Sequence, residues 1–240
     1  MNNDLIQQFL EQIAFERKEL QKDLMGLPLH AFNRVGDFGC GWGFITWCLM
    51  LEITKAECVG LDKFDPKNPP YLSDILNHAH FSRHSVETQL RKISKDIRSR
   101  NSEHKEDDLL SEIRHKIIDK ERFPIFHKAD LVSAKGLSPY LNSYFHLIYC
   151  KRFLFNISID SKENLVKAIT HIANALKPQG WFCFVELGIP NYLESSLREV
   201  GFELDTPREV VRRYERWDEK LATITTEPSP YWIYHCQKTE

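Results

Sequence analysis

"RVGDFGCGWGFITW", Arg34 to Trp47, places Gly39, Gly41 and Gly43 within five positions between two apolar segments. Glycine admits positive φ and lets another object approach the main chain closely. Bare backbone followed at once by bulky residues reads as a turn that holds something. "RVGDFG" has the character of a short buried strand, and "FITWCLMLEITKA" of the helix that leaves the turn. Such a helix start offers N–H groups and the positive end of its dipole to an anion. "ECVGLD" is a second strand ending at Asp62, nineteen residues past Gly43. That is the spacing of an acid that accepts hydrogen bonds from ribose hydroxyls. The dinucleotide fingerprint GxGxxG needs a sixth-position glycine, where this chain has Phe44, so the pattern is GxGxG preceded by Asp37.

Working outward, "FPIFHKADL", "YFHLIYC" and "GWFCFVEL" read as further strands. Leu165, Ile169, Ile172 and Leu176 form a helical stripe that stops at Pro178-Gln179-Gly180. Short apolar strands alternating with helices predict a mostly parallel, doubly wound sheet covered on both faces. After Glu186 the chain reads as a helix ("NYLESSLREV"), a strand beginning near Gly201, an Arg-rich helix ("PREVVRRYERWDEK") and a last strand, "YWIYHCQK". The count is seven strands. Leu5, Ile6, Phe9, Leu10 and Ile13 recur at helical spacing, so residues 1–30 form an N-terminal helical cap. Between Asp62 and the third strand lie roughly 60 residues, where a crossover needs about a dozen. Val86, Leu90, Ile93 and Ile97, then Leu109 or Leu110, Ile113 and Ile117, predict a helical hairpin inserted over 66–122. The organisation expected is one domain over 1–240.

At 240 residues, 42% hydrophobic and 28% charged, the chain can bury a sizeable core. A net charge of −2 predicts no strong field for nucleic acid or an anionic membrane. No apolar run reaches the ~18 residues of a membrane span. The opening residues lack the cationic segment, apolar core and small-residue site of a signal peptide. The six cysteines, Cys40, Cys48, Cys58, Cys150, Cys183 and Cys236, form no CxxC pair and sit mostly in apolar runs. Buried reduced thiols and a cytoplasmic location are expected.

With these residues in view, "VGDFGCGWG" resembles the first motif of the class I S-adenosylmethionine-dependent methyltransferases. "VGLDKF" is similar to their second motif, "HKADL" to their third, "FHLIYCKRFLFNI" to their fourth, and "ALKPQGWFCFVE" to the stretch entering strand five. The resemblance runs from Val35 to about Glu186 in the family's order, interrupted by the insertion. It departs at His146, where the family often has an acid. The resemblance implies a Rossmann-like methyltransferase fold and S-adenosyl-L-methionine as cofactor. It implies a cofactor site at Asp37, Gly39, Cys40, Gly41, Gly43, Asp62, Lys63, Asp130, Leu131 and Tyr149. Asp62 would take the ribose diol and Asp130 the adenine amino group.

In open parallel sheets the ligand lies beyond the carboxyl ends of the strands. Those ends supply Gly39, Asp62, Asp130, Tyr149-Cys150 and Glu186. Candidates for a general base are Glu186, Tyr149 and His84; Glu186 is equally a buried acid bonding a nearby helix start. His80 and His84 lie one helical turn apart with His78 nearby, but no third ligand has matching spacing and no metal is expected. Lys151 and Arg152 could attract an anionic acceptor, and Arg152 could alternatively pair with Glu186. Arg208, Arg212, Arg213 and Arg216 lie among Glu209, Glu215, Asp218 and Glu219, a solvated ion-paired face or a capture site for an acidic substrate. Tyr214, Trp217, Tyr231 and Trp232 could wall an acceptor or pack the tail.

The function expected is methyl transfer to oxygen or nitrogen of a small molecule; a homodimer is compatible with it. The alternatives are an RNA or protein methyltransferase, for which "RKISKDIRSR" is the support, and a non-catalytic cofactor-binding regulatory module. A nicotinamide oxidoreductase is disfavoured by Phe44.

Overall fold

The glycine turn joins the first strand to the helix that crosses over to its parallel neighbour. The computed structural model describes residues 3–41, 43–63, 108–118, 120–154, 157, 161–187, 192–218 and 223–239. They fall into two compact units, Met1–Asp130 with Ala134–Ser138, and Leu131–Ser133 with Pro139–Glu240.

In the first unit, β1 (Arg34–Phe38), β2 (Glu57–Asp62) and β3 (Ile125–Lys128) run parallel in the order β3-β2-β1. Val35 lies opposite Cys58, and Asp62 opposite Lys128. Helix α1 (Asn3–Asp23) buries Phe9, Leu10, Ile13 and Leu20, the stripe its apolar periodicity requires. It packs on α2 (Phe44–Glu52), whose residues Thr46 to Leu51 are all buried. Phe9 meets Trp47 edge-on at 5.4 Å between ring centroids, and Cys48 Sγ donates to the Ile13 carbonyl at 3.5 Å. Arg17 ties the helices together electrostatically: it bonds Glu52 on α2 and Glu112 on α3 (Asp108–Ile113). Helix α3 runs on into a π-helical turn over Arg114–Ile118. Ile113 and Ile117 are fully buried, as their spacing predicts; residues 66–107 and 119 of the expected hairpin lie outside the described residues.

In the second unit, β4 (Phe145–Lys151) and β5 (Leu176–Glu186) are parallel and linked by α4 (Lys162–Ala175). Ser161 caps α4 by accepting the Asn164 N–H at 3.0 Å. Leu165, Ile169 and Ile172 form its buried stripe. Leu176, the expected fourth member, has φ −82° and ψ 141° and opens β5 instead. Pro178 lies ahead and the residue before a proline is held out of the α region, so the extended chain sets in early. Helix α5 (Leu193–Glu199) and β6 (Phe202–Leu204) follow, as expected.

One element is corrected. "REVVRRYERWD" is not a helix but β7 (Arg208–Asp218), paired antiparallel with β8 (Thr223–Lys238) from Arg208↔Ile233 to Asp218↔Thr223. The alternating charges suggested helical ion pairs. However, adjacent β-branched Val210 and Val211 with Tyr214 and Trp217 favour the pleated conformation, and a long partner strand is available. The expected seven strands are therefore joined by an eighth among the described residues. β8 also pairs antiparallel with β5, up to Glu186↔Trp232, and with β6.

Candidate functional site

The turn is built as its composition requires. Gly39, Gly41 and Gly43 have φ of 75°, 48° and 78°, a region costly for side-chain-bearing residues. The Gly39 and Cys40 N–H groups donate to the Leu61 carbonyl at 2.8 and 3.1 Å, fastening the turn to the end of β2. The Gly43 N–H closes it on the Cys40 carbonyl at 2.7 Å, and Gly43 starts α2. Among the described residues, a Cβ on Gly41 would meet no atom within 4 Å. The main chain at Gly41 is thus open to an approaching ligand, while its N–H donates to Asp62 Oδ2 at 2.9 Å. Asp62 stands beside the turn, half-buried, with its carboxylate oriented by that bond.

Asp37, buried at 3% exposure, accepts the Thr46 hydroxyl at 2.6 Å and so braces β1 against α2. Cys40 is buried in the turn, and Lys63 is exposed beyond β2. Phe44 packs toward Phe9 of α1, with centroids 6.0 Å apart. An aromatic ring therefore fills the position where the dinucleotide fingerprint keeps glycine. Asp130 follows β3 and is half-buried; its N–H donates to the Lys135 carbonyl at 2.8 Å. Ala129, just before it, donates to the Asp62 carbonyl at 2.8 Å, linking the two acid-bearing strand ends. All of these residues through Asp130 belong to the first unit.

Leu131 and Tyr149 belong to the second unit and are buried. His171 Nδ1 lies 2.6 Å from the Leu131 carbonyl; a carbonyl only accepts, so Nδ1 carries the proton. Tyr149 is fully buried on β4, opposite Cys183. Glu186 is 1% exposed, and its Oε1 accepts the N–H groups of Phe153 at 2.8 Å and Leu154 at 2.7 Å. It thereby clamps the chain leaving β4 to the end of β5. Arg152 has φ 57°, donates its N–H to the Val185 carbonyl at 2.8 Å, and lays its guanidinium 5.2 Å from the Tyr231 ring centroid. At His146, Nε2 accepts from Lys177 Nζ at 3.2 Å. His78, His80, His84 and Trp42 lie outside the described residues. Among the described residues no three His, Cys, Asp or Glu side chains cluster as metal ligands would.

Two residues escaped the sequence reading. On β2, Gly60 admits its neighbours: a Cβ there would sit 2.6 Å from the Phe126 ring and 2.8 Å from Thr46 Oγ1. "VGLD" carried that signal, but not what crosses above the glycine. Gly136, at φ 81°, passes so near β3 that a Cβ would lie 2.4 Å from the Lys128 carbonyl. It shapes the loop carrying Asp130, and only "KG" marked it.

No protein-family model matches the chain, and no curated protein matches its sequence. Solved structures do. An O-methyltransferase family protein from Burkholderia thailandensis superposes with a TM-score of 0.52 at 9% identity, covering 95% of this chain. This chain spans only 57% of that protein's length. A candidate methyltransferase from Bacillus halodurans C-125 gives 0.53 at 12% identity, over 93% of this chain and all of its own. The antibiotic-resistance methyltransferase Kmr gives 0.50 at 15% identity, over 93% of each. At such identities what is shared is the backbone, and the chain has the Rossmann-like α/β fold of the class I methyltransferases.

Proposed function

We propose that the protein is an S-adenosylmethionine-dependent methyltransferase acting on oxygen or nitrogen of a small molecule. The observation that carries this is the positive-φ glycine turn, with room for a Cβ at Gly41, beside the Asp62 carboxylate at the end of two parallel strands. In this reading the ligand is a nucleoside with a charged amino-acid tail. Gly39, Gly41 and Gly43 give the tail's carboxylate access to the start of α2. Asp62 accepts the ribose hydroxyls, with Lys63 beside it. Asp130, just past the end of β3, takes the adenine amino group in this reading. Asp37 and Cys40 support the turn: Asp37 accepts the Thr46 hydroxyl, and Cys40 is buried within it.

When bound, S-adenosylmethionine supplies a methyl group already activated on a sulfonium. What the chain contributes is positioning and exclusion of water, which in favourable cases lowers a barrier by up to ~7–11 kcal/mol. Glu186 serves this as a positioning residue: protonating Oε1 would weaken both bonds that hold Phe153 and Leu154. A neutral amine acceptor needs no base; a hydroxyl is helped by one, and Tyr149 and His84 are the candidates. The shared fold leaves acceptor choice to the residues around it, since similar backbones include both an O-methyltransferase family protein and an antibiotic-resistance methyltransferase.

Calorimetry with S-adenosylhomocysteine tests the site, and radiolabelled S-adenosylmethionine with fractionated cell extract tests the reaction. Saturable binding and transfer of label to a low-mass fraction are expected. No binding would overturn the cofactor reading. Label on RNA or protein would replace the small-molecule acceptor, and binding without any transfer would leave a regulatory module.

A further inference from the structure

We infer that His171 is a positioning residue for recognition of the ligand's base: through the Leu131 carbonyl it fixes the chain that presents the Asp130 carboxylate. This rests on the methyltransferase reading above, in which Asp130 takes the adenine amino group, and adds the residue that sets the selectivity of that contact.

The first observation is how the backbone around Asp130 is pinned. Ala129, before it, donates its N–H to the Asp62 carbonyl at 2.8 Å, and Asp130 donates its own to the Lys135 carbonyl at 2.8 Å. Leu131, after it, accepts from His171 Nδ1 at 2.6 Å. With the main chain held on both sides, the Asp130 side chain is left with only its own staggered rotamers. Two of these bonds join main chain to main chain. The third comes from a side chain, so it is the one a substitution can remove.

The second observation is that the loop needs holding. Ala134 has φ 59° and Gly136 φ 81°, and a left-handed alanine persists only where its surroundings over-determine it. Lys135, whose carbonyl holds Asp130, lies between the two. The third observation is what the tether is anchored to. Leu131 is buried and, like His171, belongs to the second unit, so the bond between them lies within that unit. His171 stands on α4, a helix capped by Ser161 and fixed by the buried stripe of Leu165, Ile169 and Ile172. A side chain on a packed helix sets a position more closely than one on a loop. The imidazole is half-buried and donates from Nδ1. That atom is bonded to Cγ, as an asparagine amide nitrogen is, whereas a glutamine amide nitrogen lies one carbon further out.

Calorimetric titration of the full chain with S-adenosylhomocysteine, and with its analogue carrying unsubstituted purine in place of adenine, tests this. The analogue lacks only the amino group, and the wild-type chain is expected to prefer S-adenosylhomocysteine. His171→Gln and His171→Phe should each weaken S-adenosylhomocysteine about tenfold, leave the analogue's affinity unchanged, and so shrink the preference. His171→Asn, which keeps a donor on Cγ, should retain it, with circular dichroism unchanged in all three. The Asn and Gln variants keep the test sound should His171→Phe fail to fold. Full preference in the Gln variant, or the same loss in Asn as in Gln, would overturn the inference. So would equal weakening of both ligands, which makes His171 a structural staple alone. Wild-type binding of both ligands without preference overturns it too, while sparing the methyltransferase reading. Binding of neither ligand by the wild-type chain sinks that reading and this inference with it.

Discussion

At the residue scale the glycine turn depends on one carboxylate. Asp62 receives the Gly41 N–H at 2.9 Å, so it orients the turn. Asp62→Ala is expected to weaken S-adenosylhomocysteine binding by ~1–3 kcal/mol, the cost of stranding buried hydroxyls; unchanged affinity by calorimetry would remove Asp62 from the site. Gly60 sets a different constraint, since no conformational freedom is involved and only space matters. Gly60→Ala drives a methyl into the Phe126 ring and the Thr46 hydroxyl that holds Asp37. A loss of about 1–3 kcal/mol in denaturant unfolding is expected, recovered in part by adding Phe126→Leu. No recovery would place the strain elsewhere.

At the scale of elements, α1 is bound into the first unit by Arg17 as well as by its apolar stripe. Hydrogen bonding from Arg17, supported by Lys116, holds the Glu112 carboxyl below its ordinary range. A folded-state pKa below the unfolded value means stability that is fully present above the ordinary carboxyl pKa of about 4.3. That stability is lost as pH falls through the depressed folded value. Glu112→Gln should therefore flatten the acid limb of a stability–pH curve; an unaltered limb would show that the pair contributes nothing there. β7 gives a second test. Ala is a better helix former than Val but a poorer strand former. Val211→Ala, at an exposed position, is expected to destabilise by a few tenths to about 1 kcal/mol. A gain in stability would favour a helix over Arg208–Asp218.

At the scale of the whole molecule, all six cysteines are buried and free of disulfides. Burial pushes the Cys58 and Cys236 thiols above their usual range, and it is the thiolate that reacts. A colorimetric thiol reagent should label the native chain slowly and all six sites in denaturant. Fast labelling of the native chain would mean that the core opens. No described helix is long and apolar enough to cross a membrane.

What the linear chain determined by itself was whatever depends on local pattern. Three glycines around Gly41 dictate a left-handed turn, alternating apolar runs dictate strands joined by helices, and Asp62 falls at a strand end by spacing alone. Tertiary structure decided what depends on who lies opposite. β7 became a strand because β8 was there to pair with it, overriding charges that looked helical. That same register turned Arg212 inward and Val211 outward, and Arg152, from beyond β4, came to lie over Tyr231 of β8. Glu186 became a clamp because the chain leaving β4 presents two N–H groups to it. Pairing and register are long-range choices, settled by burial and hydrogen bonding between segments far apart in sequence, and no local window of residues contains them.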